Sequence, residues 1–428
     1  MSVSLPELQE ALRQLRPVSA RSTDSIIKAL VATADQWRAP GNPWLKRAAE
    51  LMPAATGFTP EMIHEAVALT FGSLTAESLR EVLTRELGDP GVLDGFRPRG
   101  ALQAQARGPR LIAHFLAGNV PVPGIQSICF GLLLKSANIV KLASRDPVLP
   151  ALFVESLRAV DADLGASVAA LEWDRKDEAL TQAAVAGADA VIGFGDDRAM
   201  TALRLVTPTK ATFLGYGNKI SFALVLKEAM TEANLPALAE AAAFDVSVFD
   251  QQGCLSPHVI YVEERGALGP RKFAAALAMA MAQYQLRVPR GALSAEEAAA
   301  ITQTRTAYEF RAASDRRVAV WASPQPNDWA VIYDDDPAFT PSCLNRVVYV
   351  KPTDAPARVL AAVARYAESI STVGVEPRGE RAVAFAAEAA KLGIHRVCAL
   401  GQMQRPPLWW FHDGRPNLAS LVRWTELG

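Results

Sequence analysis

The sequence predicts an α/β protein in which two tandem doubly wound parallel-sheet domains follow an N-terminal helical segment. Three observations support this fold class. The first hundred of its 428 residues carry apolar side chains at the three-to-four spacing of helices. From about Arg110 onward, short apolar strands alternate with helices, and the alternation starts again after Ser221. Such a succession is typical of parallel sheets, which bind ligands at the carboxyl ends of their strands.

The predicted elements follow from apolar periodicity and from Gly and Pro breakers. The N-terminal segment has helices at 5–15, 23–37, 43–51 and 60–87, and a breaker-rich loop at 88–100. The first α/β section has strands at 111–115, 138–142, 168–173, 190–192 and 211–214, with helices at 124–136, 147–164, 178–186 and 197–206. The second has strands at 222–226, 258–262, 318–321, 329–332, 347–350 and 396–400, with helices at 241–249, 272–285 and 356–369. We therefore expect domains at 1–222 and 223–403 and a C-terminal tail at 404–428.

Composition indicates a soluble globular protein, since 50% of the residues are apolar and 21% are charged. The net charge of −1 and the absence of a basic block give no electrostatic basis for binding nucleic acid or an anionic membrane. Prolines, glycines and Lys135 interrupt the most apolar stretch, 120–140, so we predict no membrane span. The first 17 residues lack the apolar core of a signal peptide, and we expect a cytoplasmic enzyme.

One cysteine, Cys254, lies at a predicted junction between a helix that ends near Gly253 and the strand at 258–262. Backbone N–H groups at such a junction can face a substrate and favour a thiolate. The alternative is a small buried hydrophobe. His258 could polarise the thiol, although a histidine that opens a strand is more often structural. The other cysteines lack metal-site spacing, so we predict no metal site and interpret them as buried hydrophobes: Cys129, Cys343 and Cys398.

Three loops occur where a nucleotide-dependent enzyme needs them. In chain order they place Asn119 in a strand–helix turn, Lys141 at a strand end before Ser144 and Arg145, and Gly193, Gly195 and Asp196 at another strand end. Glycines there allow a backbone to approach a phosphate closely. Each loop has an ordinary alternative, because a turn asparagine is often a cap and a strand-end lysine is often only solvated. Their order ahead of a junction cysteine is the informative feature.

This order of elements resembles the aldehyde dehydrogenase superfamily, and more closely the fatty acyl-CoA reductases of the bacterial bioluminescence operon (LuxC-like). The matching segments are 117–121, 135–145, 215–222, 254–257, 371–375, 401–403, 413–414 and 423–424. The resemblance implies an aldehyde dehydrogenase-like fold, with a nucleotide-binding domain within 1–222 and a catalytic cysteine domain at 223–403. The N-terminal helices match only in general character.

The resemblance also implies a role for individual residues. Cys254 would be the nucleophile that accepts an acyl group from a thioester, and Asn119 with the backbone N–H of Cys254 would form the oxyanion hole. The implied cofactor contacts are Lys141 at the adenosine ribose, Gly193, Gly195 and Asp196 near the pyrophosphate, and Leu214 and Gly215. A nicotinamide hydride would then reduce the acyl-cysteine to an aldehyde.

Two departures from the family pattern narrow the reaction. Aldehyde-oxidising members carry a glutamate that activates water, whereas this chain has Phe213 at the start of the corresponding motif. An acyl-cysteine would therefore persist, which favours acyl-CoA reduction. NAD-preferring members carry a carboxylate where this chain has Ser144 and Arg145, and an arginine suits a 2′-phosphate. We therefore expect NADPH, with NADH possible; alternatively, Arg145 pairs with Asp146 or Asp196.

The leading hypothesis is an NADPH-dependent reductase of an acyl-CoA or an acyl-protein thioester, working as a homo-oligomer without nucleic acid. A second hypothesis is an aldehyde dehydrogenase that acts oxidatively and acylates CoA. A third is a non-catalytic, acyl-binding scaffold subunit, which would need neither Cys254 nor Asn119. The aromatic run 409–411 could line an acyl tunnel or a subunit contact, or simply pack in the core.

Overall fold

The computed structural model describes residues 2–428, and the chain forms two compact units. Unit one contains residues up to Thr56, then Ile63–Asn218 and Pro407–Gly428. Unit two contains Gly57–Met62 and Lys219–Pro406. Both units are built around a sheet of mainly parallel strands, so the predicted α/β class is confirmed.

The elements are numbered in chain order. The strands are β1 (Arg97–Arg99), β2 (Leu102–Arg107), β3 (Leu111–Phe115), β4 (Ala137–Lys141), β5 (Val168–Leu171), β6 (Ala190–Phe194), β7 (Thr212–Tyr216), β8 (Ile220–Val225), β9 (Pro257–Glu263), β10 (Val318–Ala322), β11 (Ala330–Asp334), β12 (Val347–Thr353), β13 (Ile370–Glu376), β14 (Arg396–Cys398) and β15 (Arg423–Leu427). The α-helices are α1 (Leu5–Gln14), α2 (Thr23–Arg38), α3 (Pro43–Thr56), α4 (Pro60–Gly72), α5 (Ala76–Leu87), α6 (Val122–Leu133), α7 (Val148–Val160), α8 (Ala162–Ala166), α9 (Glu178–Ala186), α10 (Asp197–Val206), α11 (Leu235–Ser247), α12 (Pro270–Arg287), α13 (Ala295–Ser314), α14 (Pro356–Val363) and α15 (Glu380–Lys391). Short 3-10 turns occupy Pro90–Leu93, Lys227–Ala229, Val248–Gln251 and Ala364–Ser369.

Unit one holds a five-stranded parallel sheet in the order β5-β4-β3-β6-β7. The chain winds outward from β3 in both directions, so the loops after β3 and β6 face the crevice at which such sheets bind ligands. Its apolar core includes Ile139 and Val191 from the sheet and Leu180 from α9. A second, antiparallel sheet, β1-β2-β15, joins the C-terminal strand to the start of this unit and was not predicted.

The single helix predicted over residues 60–87 is wrong, because the chain breaks it into α4 and α5. The side chain of Thr75 accepts a hydrogen bond from the N–H of Ser78 at 3.1 Å and caps α5. A threonine at this position starts a new helix because it satisfies a backbone donor that has no partner within the helix. The cap was visible in the sequence as a Thr three residues before a Ser within an otherwise helical pattern.

Unit two holds a seven-stranded sheet in the order β10-β11-β12-β9-β8-β13-β14. The sheet is not wholly parallel, since the edge strand β10 runs antiparallel to β11. Three elements of unit two were not predicted from the sequence: α13, β13 and α15. For α13 the available signal was a capping box, in which Ser294 and Glu297 bond each other's backbone N–H groups.

Candidate active site

The turn that carries Cys254 follows an unusual stretch of backbone. Helix α11 ends at Ser247, short of the predicted end of a helix over 241–249, and the residues at 249–251 adopt left-handed φ angles of 53°, 51° and 62°. Cys254 then lies in a turn closed by the N–H of Ser256, which donates to the carbonyl of Gly253 at 3.0 Å. The cysteine is half-buried and forms no disulfide. The nucleophile candidate is therefore presented on a turn and not within a helix.

A second left-handed stretch, 344–346, has φ angles of 67°, 57° and 65° and is bonded to the first. We call residues 249–252 and 344–347 the paired turns. They are joined by Gln251 Oε1 accepting from the Val347 N–H at 2.9 Å, Gln252 Nε2 donating to Asn345 Oδ1 at 3.0 Å, and an Arg346–Asp250 ion pair at 2.8 Å. Left-handed backbone costs about 1–2 kcal/mol per non-glycine residue, so these contacts must hold the conformation in place.

The Asp250–Arg346 pair lies in the protein interior, with 7% and 1% of the two side chains exposed. Burial raises the pKa of Asp250, and the charge of Arg346 opposes that rise. Asp250 also accepts from the N–H of Gly291 at 3.0 Å. Arg346 donates to Gln285 at 2.6 Å and to the carbonyl of Val288 at 3.0 Å. Each charge therefore depends on the other for its stability.

The cysteine turn lies at the amino-terminal edge of the seven-stranded sheet. The hydroxyl of Ser221, at the start of β8, donates to the carbonyl of Cys254 at 2.8 Å and accepts from the N–H of Thr372, in β13, at 3.2 Å. Gln404 Nε2 donates to Ser256 Oγ at 2.9 Å. Cys254 therefore lies at the edge opposite to the carboxyl ends at which parallel sheets usually bind ligands.

His258 is bonded to the backbone of a different loop. Its Nδ1 accepts a hydrogen bond from the N–H of Ser342 at 3.0 Å, and burial lowers its pKa to about 4. A neutral ring bonded to the backbone is a structural histidine, which was the alternative interpretation of the sequence.

The other three cysteines have raised pKa values. Burial raises the pKa of Cys129 and Cys343 and raises that of Cys398 to about 11. Cys129 and Cys398 are buried, as predicted, whereas Cys343 is only half-buried.

In unit one, the loop with Asn119 lies between β3 and α6, and Asn119 is half-buried. This loop meets the loop after β4 at Gly118, where a Cβ would lie 2.6 Å from the Cβ of Arg145. Only glycine permits so close an approach. The structure therefore brings the Asn119 loop together with the Ser144–Arg145 loop.

Lys141 ends β4, where its Nζ donates to the carbonyl of Leu142 at 3.2 Å and lies 5.6 Å from the ring of Trp173. An open pocket beside it is lined by Ser2, Ser144, Glu172, Trp173, Asp174, Arg175 and Lys176. Carboxylates and cations around a polar pocket at the ends of β4 and β5 suit a ribose with a hydroxyl or a phosphate. Arg145 is exposed next to Ser144 and does not line this pocket.

The glycine turn after β6 has a structural explanation. A Cβ on Gly193 would lie 2.7 Å from Leu203 Cδ2, so glycine here lets α10 pack against the sheet. Beyond Gly195, Asp196 caps α10 by accepting from the N–H of Ala199 at 2.7 Å. Because this carboxylate occupies the helix terminus, it opposes a phosphate at the same position. The assignment of these residues to a pyrophosphate stays a prediction.

A second, small pocket of unit one has both polar and apolar lining residues and lies among α6, β6, β7 and the C-terminal segment. Its lining includes Phe130, Leu214 and Trp410. Four stacked rings form one side, with centroid distances of 4.9 Å for Phe194–Tyr216, 4.3 Å for Tyr216–His412 and 4.9 Å for His412–Trp410. Gly215 lies next to Leu214 in β7, and its carbonyl accepts from Arg415 at 3.3 Å.

The C-terminal wall of this pocket is held by Glu86, a residue that sequence reasoning missed. Its carboxylate accepts from the backbone N–H groups of Asn417, Leu418 and Ala419 at 2.9, 2.6 and 2.9 Å. It also accepts from the Asn417 side chain at 3.0 Å. These partners lie more than 300 residues away along the chain, so local sequence carries no signal for this contact.

Comparison with known proteins identifies the family. The family model described as acyl-CoA reductase (LuxC) matches residues 18–424. The chain belongs to this family. The long-chain acyl-protein thioester reductase of Aliivibrio fischeri is 26% identical over 408 residues, covering 94% of this chain and 82% of that protein. The protein of the same name from Vibrio harveyi is 26% identical over 412 residues, with the same coverage. Membership of the acyl-CoA reductase family confirms the resemblance and the prediction of an oxidoreductase.

Solved structures confirm the aldehyde dehydrogenase-like fold. An oxidoreductase from Marinobacter aquaeolei superposes with a TM-score of 0.75 at 14% identity and covers 100% of this chain and 91% of that one. An NADP-dependent glyceraldehyde-3-phosphate dehydrogenase from Bacillus halodurans superposes with a TM-score of 0.71 at 14% identity, covering 100% and 92%. Within residues 2–428, none of the helices combines the length and the apolar character needed to cross a membrane.

Proposed function

We propose that this member of the acyl-CoA reductase family reduces a long-chain acyl thioester, carried by CoA or by a protein, to the aldehyde with NADPH. The observation that carries the proposal is the half-buried Cys254, which lies on a turn that directly follows the paired turns. The curated relatives named above are acyl-protein thioester reductases, which supports a thioester as the substrate.

Cys254 acts as the nucleophile. Its thiolate attacks the carbonyl carbon of the thioester, a new C–S bond forms, and the carbonyl electrons move to oxygen. Collapse of this intermediate breaks the C–S bond to CoA or to the carrier protein and leaves an acyl-cysteine. A bound nicotinamide cofactor supplies the hydride. Cys254 is then the leaving group when the aldehyde departs.

The acyl-cysteine survives because the chain has no carboxylate at the position that activates water in aldehyde-oxidising relatives. Phe213 stands there, and its ring packs 5.4 Å from the guanidinium of Arg204 on α10. A phenyl ring cannot remove a proton from water, so hydrolysis to a carboxylic acid is slow. This favours reduction over the oxidative alternative.

The relatives named above are long-chain acyl-protein thioester reductases, which supports a hydrocarbon chain as part of the substrate. The ring-lined pocket of unit one has a volume of only about 30 Å³, so it does not hold such a chain in this structure. Burying an acyl chain against apolar surface gains about 0.8 kcal/mol for each CH₂ group. We therefore expect catalytic efficiency to rise with acyl chain length.

The function is tested by following NADPH absorbance with acyl-CoAs of graded chain length and with an acylated carrier protein. We expect aldehyde formation that depends on NADPH and increases with chain length. Carboxylic acid as the main product would refute the reductase assignment. A protein that binds acyl thioesters without turnover would instead be the acyl-binding scaffold.

Replacing Asn119 with Ala should lower kcat by about 10² to 10³, because one oxyanion donor contributes roughly that factor. We expect the melting temperature to change little. If the amide only caps the turn before α6, the variant should lose about 1 kcal/mol of stability and keep its rate. Kinetics and thermal melts on the same preparation distinguish the two results.

The ribose pocket supports NADPH as the cofactor. Ser144 lines it at the position where NAD-preferring relatives carry a carboxylate, and Arg175 and Lys176 balance the charges of Glu172 and Asp174. We expect Lys141, at the end of β4, to bond the adenosine ribose. Glu172 and Asp174 line the same pocket and suit the ribose hydroxyls of either nucleotide.

Replacing Arg145 with Ala should weaken NADPH binding by roughly 10- to 150-fold and barely change NADH binding, if its guanidinium bonds the 2′-phosphate with the usual 1.5–3 kcal/mol of a charged hydrogen bond. Ser144→Glu should also select against NADPH, through repulsion. Dissociation constants for both nucleotides provide the measurement. Arg175→Ala is the comparison variant, because it removes an arginine that lines the ribose pocket. Equal losses for the two nucleotides would mean that Arg145 supports the loop only.

A further inference from the structure

A nearby positive charge favours ionisation of a thiol near neutral pH, and His258 does not supply one because burial lowers its pKa to about 4. Arg396, the first residue of β14, is a buried cation in the same unit. Its guanidinium donates to the carbonyl oxygens of Gln402 and Met403, each at 2.7 Å. These bonds fix the position of the charge on the loop at 401–404.

The same loop is bonded to the cysteine turn. Gln404 Nε2 donates to Ser256 Oγ at 2.9 Å, and Ser256 in turn closes the turn around Cys254. One short loop therefore holds the guanidinium through its carbonyls and the nucleophile's turn through a side-chain amide. Burial lowers the pKa of Arg396, and the neighbouring Cys398, Asp245 and Cys254 act against this lowering.

Asp245 on α11 is the opposing charge at this loop. Its carboxylate accepts from the N–H groups of Gly401 and Met403, and burial raises its pKa to about 7 although Arg396 acts to lower it. When Asp245 is ionised it offsets part of the charge of Arg396. Cys398 also lies within the influence of Arg396, but burial keeps its pKa at about 11, so it remains a thiol near neutral pH.

We propose that Arg396 is a positioning residue whose charge stabilises the thiolate of Cys254. The 401–404 loop keeps the guanidinium close to the cysteine turn because it is bonded to both. This proposal rests on the proposed role of Cys254 as the nucleophile. Arg396 lies outside the segments that resemble the family motifs. Asp245 moderates the effect, because its ionisation above about pH 7 weakens the field of the guanidinium.

The test is the pH dependence of iodoacetamide alkylation at Cys254, resolved from the other cysteines by mass spectrometry. Arg396→Met removes the charge and should raise the midpoint pH of alkylation by about 1 or more, as expected for loss of a nearby opposite charge. Below the midpoint, that change slows alkylation about tenfold. Arg396→Lys keeps the charge while losing the paired carbonyl bonds, and should stay close to the wild-type midpoint.

Asp245→Asn should shift the midpoint pH of alkylation in the opposite direction. It therefore provides a second test if Arg396→Met fails to fold. Removing this carboxylate leaves the guanidinium uncompensated, so the midpoint should fall. Unchanged midpoints in folded Arg396→Met and Asp245→Asn, or equal rises in the Lys and Met variants, would overturn the proposal. Failure of the proposed function is separately visible, since Cys254→Ala would then retain turnover whatever the alkylation profile shows.

Discussion

Replacing Cys254 with Ala is expected to abolish aldehyde formation completely and to leave the binding of NADPH unchanged. The thiolate is the only group in the proposed reaction that bonds covalently to the acyl chain, so no partial route remains. The half-buried turn position gives a thioester access to the sulfur. Mass spectrometry after mixing the wild-type protein with acyl-CoA should find the acyl group on Cys254.

Cys343→Ala is the matched control, because Cys343 is also half-buried and lies at the edge of the paired turns. We expect it to keep both the adduct and the activity. An acyl adduct on any other residue, or normal turnover by the Cys254 variant, would refute the assignment of the nucleophile.

Replacing Arg346 with Met should destabilise the protein by about 3–5 kcal/mol, because it leaves the buried carboxylate of Asp250 without its partner. The variant also loses the bonds to Gln285 and to the carbonyl of Val288. The paired turns should loosen, so catalytic rate should fall even at temperatures where the variant stays folded. Denaturant unfolding and activity at low temperature measure the two effects.

The double variant Asp250→Asn with Arg346→Met is expected to recover part of the stability, since both charges are then gone. Arg47→Met provides the surface comparison. Its partner Glu155 is 47% exposed, and such pairs contribute about 0–1 kcal/mol. If Arg346→Met lowers the free energy of unfolding no more than Arg47→Met does, the paired turns do not depend on the buried ion pair.

The strands of unit one could be predicted because each is a continuous apolar run between breakers. Ile139 and Val191, at the centres of β4 and β6, are almost fully buried, and burial on both faces leaves little room for polar residues. Helix α13 was missed for the opposite reason. Only Ile301 of its residues is buried, so most of its surface is polar and its periodicity is faint.

The position of Cys254 between two elements could be predicted, but the backbone around it could not. Residues 249–251 contain no glycine, so nothing local indicates a left-handed backbone. The conformation is imposed by partners 93 and 96 residues away, through Gln252 with Asn345 and Gln251 with Val347. Arg396 was missed for the same reason, since its carbonyl partners and Asp245 come together only in the folded unit.

The small sheet of unit one has a consequence for biosynthesis. Strand β2 pairs with β15, in a register that places Arg107 opposite Arg423. Arg423 is synthesised only after all of unit two. During that interval the edge of β2 that later pairs with β15 has unpaired backbone N–H and C=O groups. Such edges can pair with other chains. Unit two, whose residues 219–406 are continuous apart from a six-residue contribution from 57–62, can complete its sheet first. The nascent chain should therefore stay prone to aggregation at β2 until β15 has been made.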